Sequence, residues 1–186
     1  GVQTCALPIS QLIMALQTIP SRRLSPQEST VVSITQISGG EAINVLPDKV
    51  VLRGTFRCLN NQVRERVRGL IESYVAAQPQ VSDVEGKIAW YPGYPVTTNH
   101  PAEAQKVREV ASALLGESAV IWNGNPSMAS EDFACMLEAC PGAYFWIGTD
   151  GETASKPLHN ASYDFNDELI PHGVALWTTL VETLLA

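Results

Sequence analysis

Apolar residues recur at helical spacing in several stretches of the chain and alternate at strand spacing in others. From Ser10, the residues Leu12, Ile13, Leu16 and Ile19 fall three or four apart, which predicts an amphipathic helix ending before Pro20. Residues 21–28 read as a polar connection. The β-branched run Thr30 to Ile37 predicts a strand broken by Gly39-Gly40, and Lys49 to Arg57 predicts a second, with Thr55 and Arg57 on one parity. Asn60 is placed to cap a helix over 62–77 whose apolar positions are Val63, Val67, Leu70, Ile71 and Tyr74. Val84 to Tyr91 predicts a third strand, and the proline-rich Tyr91-Pro92-Gly93-Tyr94-Pro95 marks a domain boundary.

Beyond that boundary, Pro101 opens a helix to Leu115, and Ser118 to Trp122 predicts a short strand. Ser130 is expected to cap a helix over 131–139, Ala143 to Ile147 to form a buried strand, and residues 167–185 a final amphipathic helix. Between the last two lies a long loop, 148–160, of a length that favours a functional role. Gly1 to Ile9 fits none of this patterning and is set aside as an atypical or non-native N-terminus. The expected organisation is therefore residues 10–93 as one domain and 94–186 as part of another. The four tryptophans (Trp90, Trp122, Trp146, Trp177) are expected in the core. His172, after Pro171, is expected to be buried with a satisfied hydrogen bond, and His100 to stand beside a helix cap.

Composition narrows the function classes. Twelve basic against nineteen acidic residues give a formal charge of −7, which argues against nucleic acid as a partner. No apolar run is long enough to cross a bilayer, and no charged and apolar leader opens the chain. Cys5, Cys58, Cys135 and Cys140 lack zinc-type spacing, so free thiols in a reducing cytoplasm are expected.

Four stretches carry candidate chemistry. Gly39-Gly40-Glu41-Ala42-Ile43-Asn44 lets the backbone approach a ligand and offers the Asn44 amide to a developing oxyanion. Leu52-Arg53-Gly54-Thr55-Phe56-Arg57 offers a guanidinium suited to a carboxylate. For both, the structural alternative is that Asn44 caps a turn and Arg57 lies along its strand. Pro126-Ser127-Met128-Ala129-Ser130-Glu131-Asp132-Phe133 puts two acids either at a site rim or in a helix's first turn, where they complement its dipole. Leu158-His159-Asn160 sets an imidazole among acids in a polar loop, a placement suited to metal ligation or proton transfer. The alternative there is a solvated loop histidine.

In this order the four stretches resemble the C-terminal half of the M20 family of metal-dependent amidohydrolases, in particular its hippurate hydrolase and N-acyl-amino-acid hydrolase branch. The resemblance runs from about Gln11 to the last residue. It implies an α/β protein: a split βαββαβ antiparallel lid and dimerisation domain, its first strand missing or replaced, then the C-terminal part of a three-layer α/β/α zinc-peptidase-like catalytic domain. It implies hydrolysis of the amide bond of N-acyl amino acids at a two-metal site (Zn, Mn or Co). Carried over residue by residue, it makes His159 a metal ligand and Asn44, Arg57 and Glu131 substrate-binding residues, with a homodimer formed through the lid. The family's other ligands and its general base lie in sequence that has no match here. The chain is therefore expected to be N-terminally truncated, to hold an incomplete metal site and to contain no catalytic residue. A non-catalytic dimerisation and lid module, or a dipeptidase of the same fold, are the alternatives.

Overall fold

The computed structural model describes residues 6–149, 156 and 158–185. It divides into two compact units. One runs through Val96 and also takes Pro126–Ser130; the other comprises Thr97–Asn125 and the chain from Glu131 onward.

In the first unit, helix α1 (Ala6–Thr18) buries Pro8, Leu12 and Leu16. The helix begins ahead of Ser10, so Ala6 to Ile9 take part in it; residues 1–5 lie outside the described residues. Pro20 does not end the helical path. Ile19–Arg23 continue it as a π-helical turn, a wider winding that accommodates a residue with no N–H to give. Strands β1 (Thr30–Ser38) and β2 (Val51–Cys58) follow and pair antiparallel, Thr30 opposite Cys58 and Ser38 opposite Val51. A bulge lies between Ile34 and Gln36. It keeps Leu52 opposite Ile37 and, on the other face, Arg53 opposite Gln36, where the Arg53 guanidinium donates to the Gln36 Oε1 at 2.8 Å.

Gly54 sits at that bulge for a steric reason. A Cβ there would collide with the Ser33 carbonyl oxygen. Helix α2 (Asn61–Ala76) starts where Asn60 Oδ1 accepts the N–H groups of Gln62 (2.7 Å) and Val63 (3.3 Å), the expected cap. A short helix, α3 (Gln78–Ser82), ends the run. The core is built by Leu12, Leu16, Ile19, Val32, Val63 and Val67, with Leu52, Phe56 and Leu70 packed against it. Burying each of these side chains stabilises by roughly 1.5–3 kcal/mol before entropy is counted. This leaves the other face of the hairpin, with Arg53, Thr55 and Arg57, exposed.

The second unit contains α4 (Pro101–Leu115), α5 (Phe133–Ala139) and α6 (Leu169–Leu185). Val110 and Ala111 of α4 are buried with Leu176 and Leu180 of α6, and Val120 and Phe145 pack against them. On α6, Ile170, Val174, Trp177, Val181 and Leu184 form an exposed ridge at alternating spacings of four and three.

Several expectations need correction. Among the described residues the only sheet is the β1–β2 hairpin: 84–91, 118–122 and 143–147 form no ladder, and 117–119 is a turn of 3₁₀ helix. A strand requires a partner along its length. Around Tyr144 a side chain substitutes for one: the Asn99 carboxamide accepts the Tyr144 N–H at 2.7 Å and donates to the Tyr144 carbonyl at 2.8 Å. The tryptophans are not core. Trp122, Trp146 and Trp177 are exposed, and Trp90 is half-buried, its indole N–H on Glu72 and its ring edge-on to Phe56. The three exposed rings meet Tyr144, Phe145 or Arg108 rather than a closed interior. His172 is exposed in the first turn of α6. Finally, α5 begins at Phe133, not Glu131, and Ser130 does not cap it.

Candidate functional site

Arg57 pairs with Val31 on the exposed face of the hairpin, near the end of β2. Its Nη1 donates to the Met128 carbonyl oxygen at 2.6 Å. The first unit thus brings two of the four sequence stretches together. A charge-assisted bond of this length is among the stronger kinds. Using one Nη nitrogen leaves further guanidinium N–H donors for another acceptor. The turn that presents the carbonyl is itself fixed: Ser127 Oγ accepts the Ala129 N–H at 3.1 Å. Nothing in the sequence spacing signals the Arg57–Met128 contact, because 71 positions separate the two residues.

Asn44 lies in the exposed loop after Gly40, in a turn where the Val45 N–H reaches the Ala42 carbonyl at 3.4 Å. Gly40 takes φ +83°, which a side chain would resist. A Cβ on Gly39 would press on Val50 at 2.8 Å. The Gly-Gly pair therefore shapes the start of this loop.

Glu131, in the second unit, is held at both carboxylate oxygens. Oε1 accepts the Phe133 N–H at 3.2 Å and Oε2 accepts the Tyr144 hydroxyl at 3.0 Å. The acid, not Ser130, thus satisfies an N–H at the start of α5. The Phe133 N–H, then the Tyr144 hydroxyl, hold the Glu131 carboxyl below the usual carboxylate range. Burial first, then the nearby carboxylate, push the Tyr144 hydroxyl up. Tyr144 also lies against Phe133 and edge-on to Trp146, with ring centroids 5.8 and 5.5 Å away. Nothing in the local sequence singles out Tyr144, which falls within the expected strand 143–147. His100 stands before α4 without capping it by its side chain; its Nδ1 accepts the Gly142 N–H at 3.2 Å.

His159 lies exposed in a turn with φ +68°, an uncommon backbone conformation for a residue with a side chain. Much of the loop that leads to it, residues 150–155 and 157, lies outside the described residues. Among the described residues no three His, Cys, Asp or Glu side chains gather where they could hold a metal ion. A catalytic zinc takes about three protein ligands and an open position, so the described residues do not make such a site. Cys58, Cys135 and Cys140 are free, and Cys5 is outside the described residues. No helix among the described residues is long and apolar enough to cross a membrane.

Residues 12–183 match the sequence model of peptidase family M20/M25/M40. The chain belongs to that family. It is 36% identical over 171 residues to a hippurate hydrolase of Campylobacter jejuni, covering 92% of this chain and 44% of that protein. It is 37% identical over 146 residues to an N-acetyl-L-cysteine deacetylase of Bacillus subtilis, covering 77% of this chain and 34% of the relative. Among solved structures, a protein of methicillin-resistant Staphylococcus aureus assigned as an aminohydrolase superposes with a TM-score of 0.82 at 25% identity, over 96% of this chain and 46% of that one. The Bacillus subtilis YXEP protein, described as a dinuclear metal binding peptidase of family M20, superposes with a TM-score of 0.75 at 24% identity, over 97% and 45% of the two chains; at that identity the likeness is one of fold. The chain spans less than half the length of these relatives. Its α/β fold is similar to the matching part of those structures.

Proposed function

We propose that this member of the M20 family serves the hydrolysis of an N-acyl amino acid, in which water splits the amide bond into a carboxylic acid and a free amino acid. The observation that carries this reading is Arg57, exposed on β2 and oriented by the Met128 carbonyl. Arg57 takes the substrate carboxylate, because a guanidinium fork matches it in charge and shape. Asn44 donates its amide to the substrate carbonyl oxygen. Glu131, kept ionised and fixed at both oxygens, serves as a rigid acceptor for a substrate N–H. His159 offers one imidazole to a divalent metal whose other ligands come from outside this chain. The hydrolase names of the relatives support the substrate class. The first unit is proposed as a lid whose sheet is completed to the split βαββαβ form and pairs with a second copy. The second unit is proposed as part of a three-layer catalytic domain.

Two measurements test this. The 186-residue chain is assayed on hippurate with manganese, zinc or cobalt; no turnover is expected, and metal-dependent turnover would show that the ligand set is complete within it. Binding of hippurate is then compared with that of hippuramide, its uncharged amide. Arg57→Ala is expected to weaken hippurate by about tenfold to a hundredfold and hippuramide far less. Equal losses for both would remove Arg57 from the site.

A further inference from the structure

We infer that the Ser127-Met128-Ala129 turn is a positioning element for the carboxylate clamp, with Ser127 as a positioning residue for Arg57. This inference rests on the reading of Arg57 as that clamp and deepens it. All four residues belong to the first unit.

A surface arginine ordinarily samples many rotamers, and a ligand that fixes it must offset the side-chain entropy lost on ordering. Here the guanidinium already has a fixed partner, the Met128 carbonyl at 2.6 Å. That carbonyl belongs to a loop residue outside any helix or strand, so its direction depends on the local turn. Ser127 supplies the constraint: its hydroxyl oxygen accepts the Ala129 N–H at 3.1 Å and closes a small ring around Met128. The order of control runs from the Ser127 hydroxyl to the peptide orientation at Met128, and from there to the plane of the Arg57 guanidinium.

Among the described residues Met128 holds Arg57 through Nη1 alone, which leaves the remaining N–H donors of the fork for a carboxylate. The bound carbonyl thus orients the clamp without occupying it, and it lowers the ordering cost of binding. Ser127 and Arg57 are both exposed, so substitution at either leaves the buried core intact.

The test uses the 186-residue chain, with hippurate and hippuramide titrated against its amide NMR spectrum. Ser127→Ala is expected to weaken hippurate about threefold to tenfold, the range of one neutral hydrogen bond, while hippuramide stays within about twofold of the parent. Ser127→Thr keeps the hydroxyl and is expected to restore hippurate affinity. A turn with a purely structural role would affect both ligands alike, or neither. If Ser127→Ala leaves hippurate unchanged, weakens both ligands equally, or is not mirrored by recovery in Ser127→Thr, the positioning role is overturned. Arg57→Ala separates the two layers. Selective loss of hippurate there, with no selective effect at Ser127, keeps the clamp and removes the turn's part in it. No selectivity at Arg57, or no hippurate binding by the parent, overturns both.

Discussion

In the first unit, Leu12, Leu16 and Ile19 from one helical stretch meet Val63 and Val67 from α2 over Val32 of the hairpin, so the core has helices on one side and a sheet on the other. In the second, Val110 and Ala111 of α4 meet Leu176 and Leu180 of α6, and an adjoining face of α6 carries an exposed apolar ridge. Both follow the same helical periodicity. The difference is the presence of a second layer. A helix buries one stripe and needs a partner surface for it, and two ordered strands supply a continuous one that a helix pair does not.

Core truncation gives the largest test of that contrast. Leu16 and Leu180 are each 4% exposed, so their burial alone predicts equal costs. Their surroundings do not. Leu16→Ala leaves a hole walled by helices and sheet and is expected near the upper part of the roughly 2–5 kcal/mol range for such changes, whereas Leu180→Ala, beside small Ala111 and Val110, is expected near the lower part. Amide exchange resolved for each unit under increasing urea checks this, and equal costs would show that α6 is as tightly enclosed as α1.

A glycine comparison is next in size. Gly54→Ala forces a Cβ against the Ser33 carbonyl at the bulge and is expected to cost about 1–3 kcal/mol. Gly148, in the second unit, has open space where a Cβ would go, and Gly148→Ala is expected to lie within about 0.5 kcal/mol of the parent or to stabilise slightly. Chemical denaturation of the two variants measures the difference.

What the sequence disclosed divides along the same line. The helices α1, α2 and α4, the β1–β2 hairpin and the Asn60 cap were legible, because periodicity and capping chemistry are local. Strands at 84–91, 118–122 and 143–147 were expected from composition alone, and composition does not state whether a neighbouring strand is there to pair. Large aromatics read as core for the same reason: Trp146 and Trp177 are apolar, but their enclosure depends on a layer. At the candidate site, the residue types were legible and their partners were not. Arg57 to Met128 and Glu131 to Tyr144 join segments through tertiary geometry that no short-range pattern encodes.

Helix caps extend the comparison at about 1 kcal/mol. Asn60→Ala removes two acceptor contacts at the start of α2 and is expected to cost about 0.5–2 kcal/mol. His100 makes no side-chain cap for α4, and Pro101 stands in its first turn, so the cost of His100→Ala reflects the lost Gly142 N–H contact alone, about 0.5–1.5 kcal/mol. Thermal or urea unfolding checks both, and a fraying α4 in His100→Ala would show a capping role that the geometry lacks.

The smallest expected effect is also the most specific to the second unit's candidate site. Tyr144→Phe keeps the ring packed against Phe133 and Trp146 and removes only the hydroxyl that donates to Glu131. The Phe133 N–H, the larger cause of the low Glu131 carboxyl value, remains, so the carboxyl is expected to move part of the way back toward the ordinary carboxylate range. The sign of the stability change follows from linkage. A carboxyl held low in the folded state favours folding above its ordinary value, and that contribution is lost as pH falls through its folded value. The parent should therefore exceed Tyr144→Phe in stability near neutral pH, and the gap should close on acidification. At high pH the raised Tyr144 hydroxyl acts in the other direction: it favours folding below the ordinary tyrosine value and loses that contribution as pH rises through its folded value, a loss the variant does not have. Glu131 is only partly covered, so solvent screening keeps both effects small. The direct readout is the ¹³C titration of the Glu131 carboxyl in the two proteins. An unchanged midpoint would mean that the Tyr144 hydroxyl does not hold Glu131 in solution, and that the Phe133 N–H alone fixes the acid beside α5.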